Sequence, residues 1–268
     1  MTESDFTLMP QEARLLSGRK ALVTGADSGI GQGVAFELAA HGAAVAVNYL
    51  ADSAAAEGMV DRIERAGGRA IAVQMDVSSE DDVVRAVGAA RGAFGGLDLL
   101  VNNAGIEKPF LLVDMPLEWW QRVIDVNLTG AFLCAREAAR VMLADGLRGA
   151  IVNITSVHEV IPWERFSHYC ASKGGEKLFT ESIARELAPH GIRVVSVAPG
   201  AIATPINAQV LADPKRKAEV EAEIPYGRWG EVDDIARAVA WVASDKADYV
   251  VGSTIFVDGG MTLYPRFA

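Results

Sequence analysis

Basic residues are in short supply. In a chain of 268 residues, 25 Lys and Arg stand against 35 Asp and Glu, a formal net charge of −10. A protein that grips nucleic acid needs positive surface to neutralise phosphate, so that partner class is excluded. Cysteine is nearly missing: Cys134 and Cys170 lie far apart and in no metal-type spacing. Neither a disulfide framework nor a zinc site is written here, and a reducing, cytoplasmic setting is expected. No stretch approaches the roughly 20 apolar residues of a membrane span. The first 17 residues carry Glu3, Asp5 and Glu12 where a signal peptide would be apolar. No His-Glu-x-x-His or other clustered ligand set suggests a metal. With no internal repeat and no Pro/Ser linker, the expected organisation is a polar leader, residues 1–17, and one domain, residues 18–268.

Half of the residues are hydrophobic and 22% are charged, enough for a sizeable core. Short β-branched runs alternate with longer helical patterns. The runs are 20–24, 44–49, 70–75, 97–102, 150–154, 193–197 and 254–257; helical spacing occurs around 30–41, 52–66, 80–94, 117–145, 168–188 and 231–243. Several runs are apolar on both faces, as a parallel sheet covered by helices requires. The expected fold is α/β: a single doubly wound, Rossmann-type parallel sheet of about seven strands with helices on both faces. Segment 199–230, which has no strand run, holds four prolines, the patch Asp213-Pro-Lys-Arg-Lys217 and Trp229. Leaving the carboxyl end of a strand, it is placed to act as a substrate lid.

Directly after the first run comes Thr24-Gly25-Ala26-Asp27-Ser28-Gly29-Ile30-Gly31, opening a helix. Glycine permits a sharp turn and close approach of backbone N–H groups to an anion, and the helix N-terminus adds partial positive charge. The spacing is G-x-x-x-G-x-G, neither the G-x-G-x-x-G fingerprint nor a Walker A loop. An acid that would bond a ribose 2′-OH is expected about 20 residues on. Asn48-Tyr49-Leu50 stands there instead, and neither Ser28 nor Leu50 offers a cation for a 2′-phosphate, which Asp27 would repel. Both NAD and NADP stay open, with a lean to NAD.

Tyr169-Cys-Ala-Ser-Lys173 sets a phenol and an ammonium at i and i+4, one helical turn apart. A nearby cation stabilises phenolate and makes a phenol usable as an acid/base. Ser156 ends a strand run where its hydroxyl could share a substrate oxygen. His168, beside the tyrosine, could equally line the cleft or be structural.

Taken together, Thr24–Gly31, Asn102-Asn-Ala-Gly105, Asn127, Ser156 and Tyr169-x-x-x-Lys173 resemble the short-chain dehydrogenase/reductase family, in order and at its usual spacings, from about residue 18 onward. The resemblance implies a homotetramer and a catalytic set. Tyr169 would be the base in oxidation, Ser156 would orient the substrate oxygen, Lys173 would bind the nicotinamide ribose, and Asn127 would hold a relay water. It implies adenine contacts at Asp76 and Val77 and a cofactor cleft lined by Asn103, Ala104 and Gly105. Pro199, Gly200, Ile202 and Thr204 would touch the nicotinamide carboxamide. Within the family, Glu107, Ser156-Val-His-Glu-Val-Ile-Pro-Trp163, Thr204-Pro-Ile-Asn207 and Gly259-Gly-Met-Thr-Leu-Tyr-Pro-Arg-Phe267 are similar to bacterial glucose 1-dehydrogenases. Leu50 departs from that pattern. A sugar substrate would need several polar anchors, for which Glu107, His158 and Asn207 are the candidates. The alternatives are a 3-oxoacyl or small-ketone reductase of the same family and a non-catalytic dinucleotide sensor. The aromatic tail from Val250 to Phe267 would suit a subunit interface.

Overall fold

The computed structural model describes residues 14–263; residues 1–13 of the expected leader and 264–268 of the tail lie outside them. Leu16, at the end of that leader, is buried in the core, its backbone N–H bonded to the His41 carbonyl.

Seven parallel strands form one sheet in the order β3-β2-β1-β4-β5-β6-β7. They are β1 Lys20–Val23, β2 Ala44–Tyr49, β3 Arg69–Gln74, β4 Leu99–Asn102, β5 Gly149–Ile154, β6 Ile192–Pro199 and β7 Thr254–Val257. Helices α1 (Gly29–Ala40), α2 (Ser53–Arg65) and α9 (Val232–Ala243) cover one face around Val34, Leu38, Ile63 and Ile235. On the other, α3 (Glu80–Phe94), α5 (Gly130–Ala144) and α6 (Ser167–Leu187) pack over Leu22, Leu100, Ile151 and Val194. This two-sided covering is why β5 and β6 are buried along their whole length. The chain reverses its winding between β1 and β4, and the crevice beyond their carboxyl ends is where open α/β sheets bind ligands.

Two segments differ from their sequence patterns. The helix expected over 117–145 is α4 (Leu117–Ile124), a π turn (Asp125–Thr129) and α5. Gly130 follows the π turn where a Cβ would stand 2.8 Å from Val77, so close packing against the loop after β3 anchors the start of α5. Segment 199–230 is more ordered than a loop. It carries α7 (Ala208–Leu211) and α8 (Pro214–Ala222), and is clipped at its base by a bridge between Ile202 and Gly230. Asp213 starts α8, accepting from the N–H groups of Lys215 and Arg216, with proline at the first helical position.

Candidate active site

The glycine loop is closed by buried polar side chains from neighbouring strands. Gly25 and Gly29 have φ of +57° and +53°, a region that side chains with a Cβ rarely adopt. Gly31 is small for another reason. A Cβ there would collide with the Gly25 carbonyl and the Asn103 amide. Thr24 Oγ1 accepts from the Asn103 and Ala104 N–H groups, each at 2.9 Å, while Asn103 Nδ2 donates to the Thr24 and Gly25 carbonyls. Asn48 is 2% exposed. It accepts from Gly25 N–H at 2.9 Å and donates to the Val73 and Met75 carbonyls at 3.2 Å. Its side chain therefore ties the glycine loop to the end of β3, and Leu50 is the half-exposed residue beyond it. No side chain caps α1 at Ser28, so the first N–H groups of that helix remain open to an anion.

In front of this loop is a hollow of about 380 Å³, lined by Gly25, Ser28, Gly29, Ile30, Asn48, Asp76, Val77, Asn103, Ala104, Gly105 and Thr204. Asp76 accepts from Ser78 N–H and Oγ and lies 3.6 Å from Arg122. Burial pushes its carboxyl up, but these contacts win and hold it below the ordinary value. An uncapped helix start, glycines that leave room only for backbone, and a hydrogen-bonding carboxylate at the far end fit a dinucleotide. When bound, such a group accepts or gives hydride.

The hollow continues into a cavity of about 560 Å³ through Ile30, Asn103, Gly105 and Thr204, which line both. The cavity brings together Glu107, Ser156, His158, Tyr169, Lys173, Pro199, Gly200, Ile202 and Asn207. Gly31 and Asn127 line neither space. Asn127 sits in the π turn, 1% exposed. It accepts from Ile106 N–H at 2.8 Å and donates to the Ile106 carbonyl and to Ser172 Oγ. A π turn at such a residue is a frequent feature of functional sites.

Ser156 leaves β5 and accepts from His158 N–H at 3.1 Å, and its side chain lines the cavity beside Tyr169. Lys173 is 4% exposed. Its Nζ donates to the Ile154 carbonyl at 2.8 Å and pairs with Glu176 Oε2 at 2.7 Å. Burial raises the Tyr169 phenol above its ordinary value and Glu107 adds to this, against the lowering pull of Lys173 and Ser156. Lys173 is raised as well, because Glu176 and Tyr169 outweigh the burial that would lower it. Burial also pushes the Glu107 carboxyl up to about 7, with Lys173 opposing. The imidazole of His158 is lowered by burial, against the raising effect of its hydrogen bond to the Ile161 carbonyl.

Aromatic rings wall the substrate end. His158 stacks on Trp163 at 4.4 Å between centroids, Trp163 on Phe166 at 3.7 Å, and Tyr169 meets the first two edge-on. Asn207 donates to the Ile202 carbonyl at 2.9 Å and so steadies the base of the lid it belongs to. His168 resolves to the structural alternative: it is fully buried, outside the cavity lining, and packs edge-on to Phe110.

Sequence reasoning missed a polar spine behind the site. Asn102, Asn153 and Ser196 are register neighbours on β4, β5 and β6. Asn102 donates to Asn153, and Asn153 and Ser196 both donate to Thr180 of α6. Thr180 in turn donates to the Glu176 carbonyl. The available signal was the spacing 169, 173, 176, 180, one stripe of a helix.

Among the described residues, no group of three or more His, Cys, Asp or Glu could hold a metal, and no helix is long and apolar enough to cross a membrane. A family model described as enoyl-(acyl carrier protein) reductase matches residues 25–262. The chain is 49% identical over 252 residues to 3beta-hydroxysteroid dehydrogenase 1 of Eggerthella lenta, covering 94% of this chain and 97% of that protein. It is 42% identical over 251 residues to glucose 1-dehydrogenase 2 of Bacillus subtilis, covering 93% and 97%. A crystal structure of a gluconate 5-dehydrogenase from Burkholderia cenocepacia, in complex with NADP and tartrate, superposes with a TM-score of 0.90 at 34% identity over 95% of this chain and 99% of that one. With the sheet order, the glycine loop and the Ser156–Tyr169–Lys173 cluster all in place, the chain belongs to the short-chain dehydrogenase/reductase family, a family of NAD(P)-dependent oxidoreductases.

Proposed function

We propose that this protein oxidises the C1 hydroxyl of an aldose, glucose first among them, passing hydride to NAD(P)⁺ and releasing the aldonolactone. The observation that carries this reading is the convergence of Glu107, His158 and Asn207 on the cavity that ends at Ser156 and Tyr169. A ring of hydroxyls requires donors and acceptors spread around it, and a site built on them discriminates strongly by hydroxyl pattern. A Glu107 carboxyl near 7 can serve in either role. Tyr169 takes the hydroxyl proton as hydride leaves, Ser156 shares the same oxygen, and Lys173 holds the nicotinamide ribose. Asn127, fixed by Ile106, keeps a relay water behind the lysine. The lean is to NAD, since Leu50 offers no charge and Arg122, which lines the hollow, is engaged by Asp76 and Ser78.

A second reading has its own support. Trp163, Ile206, Val210, Val220, Trp229 and Met261 give the cavity an apolar wall that a flat hydrophobic ring such as a steroid would cover. The relative that shares 49% identity is named for that activity. Initial rates of reduced-nicotinamide formation, with NAD⁺ and NADP⁺ separately, against glucose, galactose, xylose, rhamnose and a 3β-hydroxysteroid, test both. Turnover of an aldose supports the first reading. Turnover of the steroid alone moves the assignment to the second, and reduction of a ketoester alone moves it to a carbonyl reductase.

For the assembly, we infer a cytoplasmic homotetramer. Phe132 and Leu143 on α5 and Leu178 on α6 are exposed, as are Tyr249, Phe256 and Leu263 near the C-terminal strand, and apolar surface of this kind supports subunit contact. Sedimentation showing only monomer at micromolar concentration would remove it.

A further inference from the structure

Glu176 is a buried carboxylate for which the reaction as described has no use. It is 1% exposed, one turn beyond Lys173 on α6, with Oε2 at 2.7 Å from Nζ. Burying an ion pair costs desolvation on both sides, and apolar residues of the same volume commonly do as well for stability. Its backbone is held by Thr180, itself locked to β5 and β6 through Asn153 and Ser196, so the carboxylate has a defined position behind the cavity.

The Tyr169–Lys173 pair has two arrangements once it has lost one proton: tyrosinate beside ammonium, or tyrosine beside neutral amine. Both carry the same number of protons, so pH cannot choose between them. Only the first contains a base. A negative charge bonded to the lysine favours it; burial pushes the Glu176 carboxyl above its ordinary value, and the hydrogen-bonded Lys173 ammonium opposes that rise.

We propose that Glu176 is a positioning residue for hydride transfer: its carboxylate holds the Lys173 ammonium against the Ile154 carbonyl and keeps the shared proton of the Tyr169–Lys173 pair on the lysine. This rests on the reading of Tyr169 as the base. The other charged groups facing the pair are Glu107, from the segment after β4, and Glu159, from the turn after β5. Glu159 is itself faced by Lys177 and Glu181. Of the three carboxylates, Glu176 is the one hydrogen-bonded to Nζ.

The test is the pH profile of kcat/KM for oxidation of glucose, or of the 3β-hydroxysteroid if that is the alcohol turned over, in wild type, Glu176→Gln and Glu176→Asp. Glutamine keeps shape and acceptor but removes the charge. Its plateau should fall about tenfold or more, because less of the pair holds the active arrangement. Its acidic limb should move down by about one pH unit, because taking away a buried negative charge lowers both apparent pKa values of the pair. Glu176→Asp should return the limb toward the wild-type position. If Glu176→Gln does not fold, Glu176→Met carries the same test with matched volume. A lower plateau with the limb unmoved would mean a packing role and overturn the proposal, as would a limb displaced to higher pH. Tyr169→Phe is assayed in parallel. If it keeps its activity, the base assignment fails; if it is inactive while the Glu176→Gln limb stays put, only this proposal fails.

Discussion

The two ends of the cleft are held by different forces. At the glycine loop, Thr24, Asn48 and Asn103 spend their hydrogen-bonding groups on backbone N–H and carbonyl groups, and a single methyl at Gly31 has no room. At the other end the walls are rings and aliphatic side chains, from His158 and Trp163, which Phe166 backs, to the lid residues Ile206 and Val220, held largely by stacking and contact. A backbone cradle admits one kind of ligand and tolerates no change. A side-chain wall can be recut without disturbing the sheet. Relatives at 41–49% identity are named for a steroid, glucose, L-rhamnose and a 3-oxoacyl carrier, a spread of substrates that a wall of side chains can accommodate.

The sharpest way to break this comparison is at its junction. Tyr169→Phe should lower kcat/KM for oxidation by about 10³-fold, while the Kd for NADH, read from fluorescence, stays within about twofold. Gly31→Ala attacks the backbone end. Overpacking of this sort costs about 1–3 kcal/mol, so NADH affinity should weaken by up to about 100-fold and Tm should fall. Trp163→Ala attacks the side-chain end, removing the middle ring of the stack. KM for the alcohol should rise by about tenfold with NADH binding unchanged; weakened NADH binding would erase the proposed division.

Glu107→Gln is the mildest probe. With its carboxyl at about 7, the wild-type KM should change across about pH 6 to 8, and glutamine should flatten that change. The stability effect has a definite sign. The folded protein holds a proton that the unfolded chain releases near 4.5, so wild-type stability falls as pH rises from there through about 7. Glu107→Gln should therefore gain on wild type at pH 8, by about 1 kcal/mol or less once solvent screening is allowed for. Thermal melts at pH 5 and pH 8 read this directly.

The sheet was legible because its signals are local: apolar runs such as Ala44–Val47 and the glycines that follow Thr24 announce themselves within a few residues. Tyr169 and Lys173 were legible because their i, i+4 spacing is itself the geometry. The π turn at Asn127 was not, since the apolar positions on either side of it, Val123, Val126 and Leu133, continue a helical pattern across the extra residue. Helix α8 had a local signal in Asp213-Pro214, outweighed by the prolines around it. Glu176 is harder, because a glutamate on a helix normally faces water. Only the packing of α6 against β5 and β6 buries it, and the alignment of Asn102, Asn153 and Ser196 depends on strand register across 94 positions of chain (196 − 102).

The most direct measurement is transfer from glucose deuterated at C1, with the reduced nicotinamide analysed for the label by mass spectrometry. Oxidation at C1 predicts deuterium in the reduced cofactor, a slowed initial rate, and loss of both in Tyr169→Phe. Turnover that leaves the deuterium on the sugar, or no turnover of glucose with either cofactor, would contradict the assignment of this pocket to an aldose.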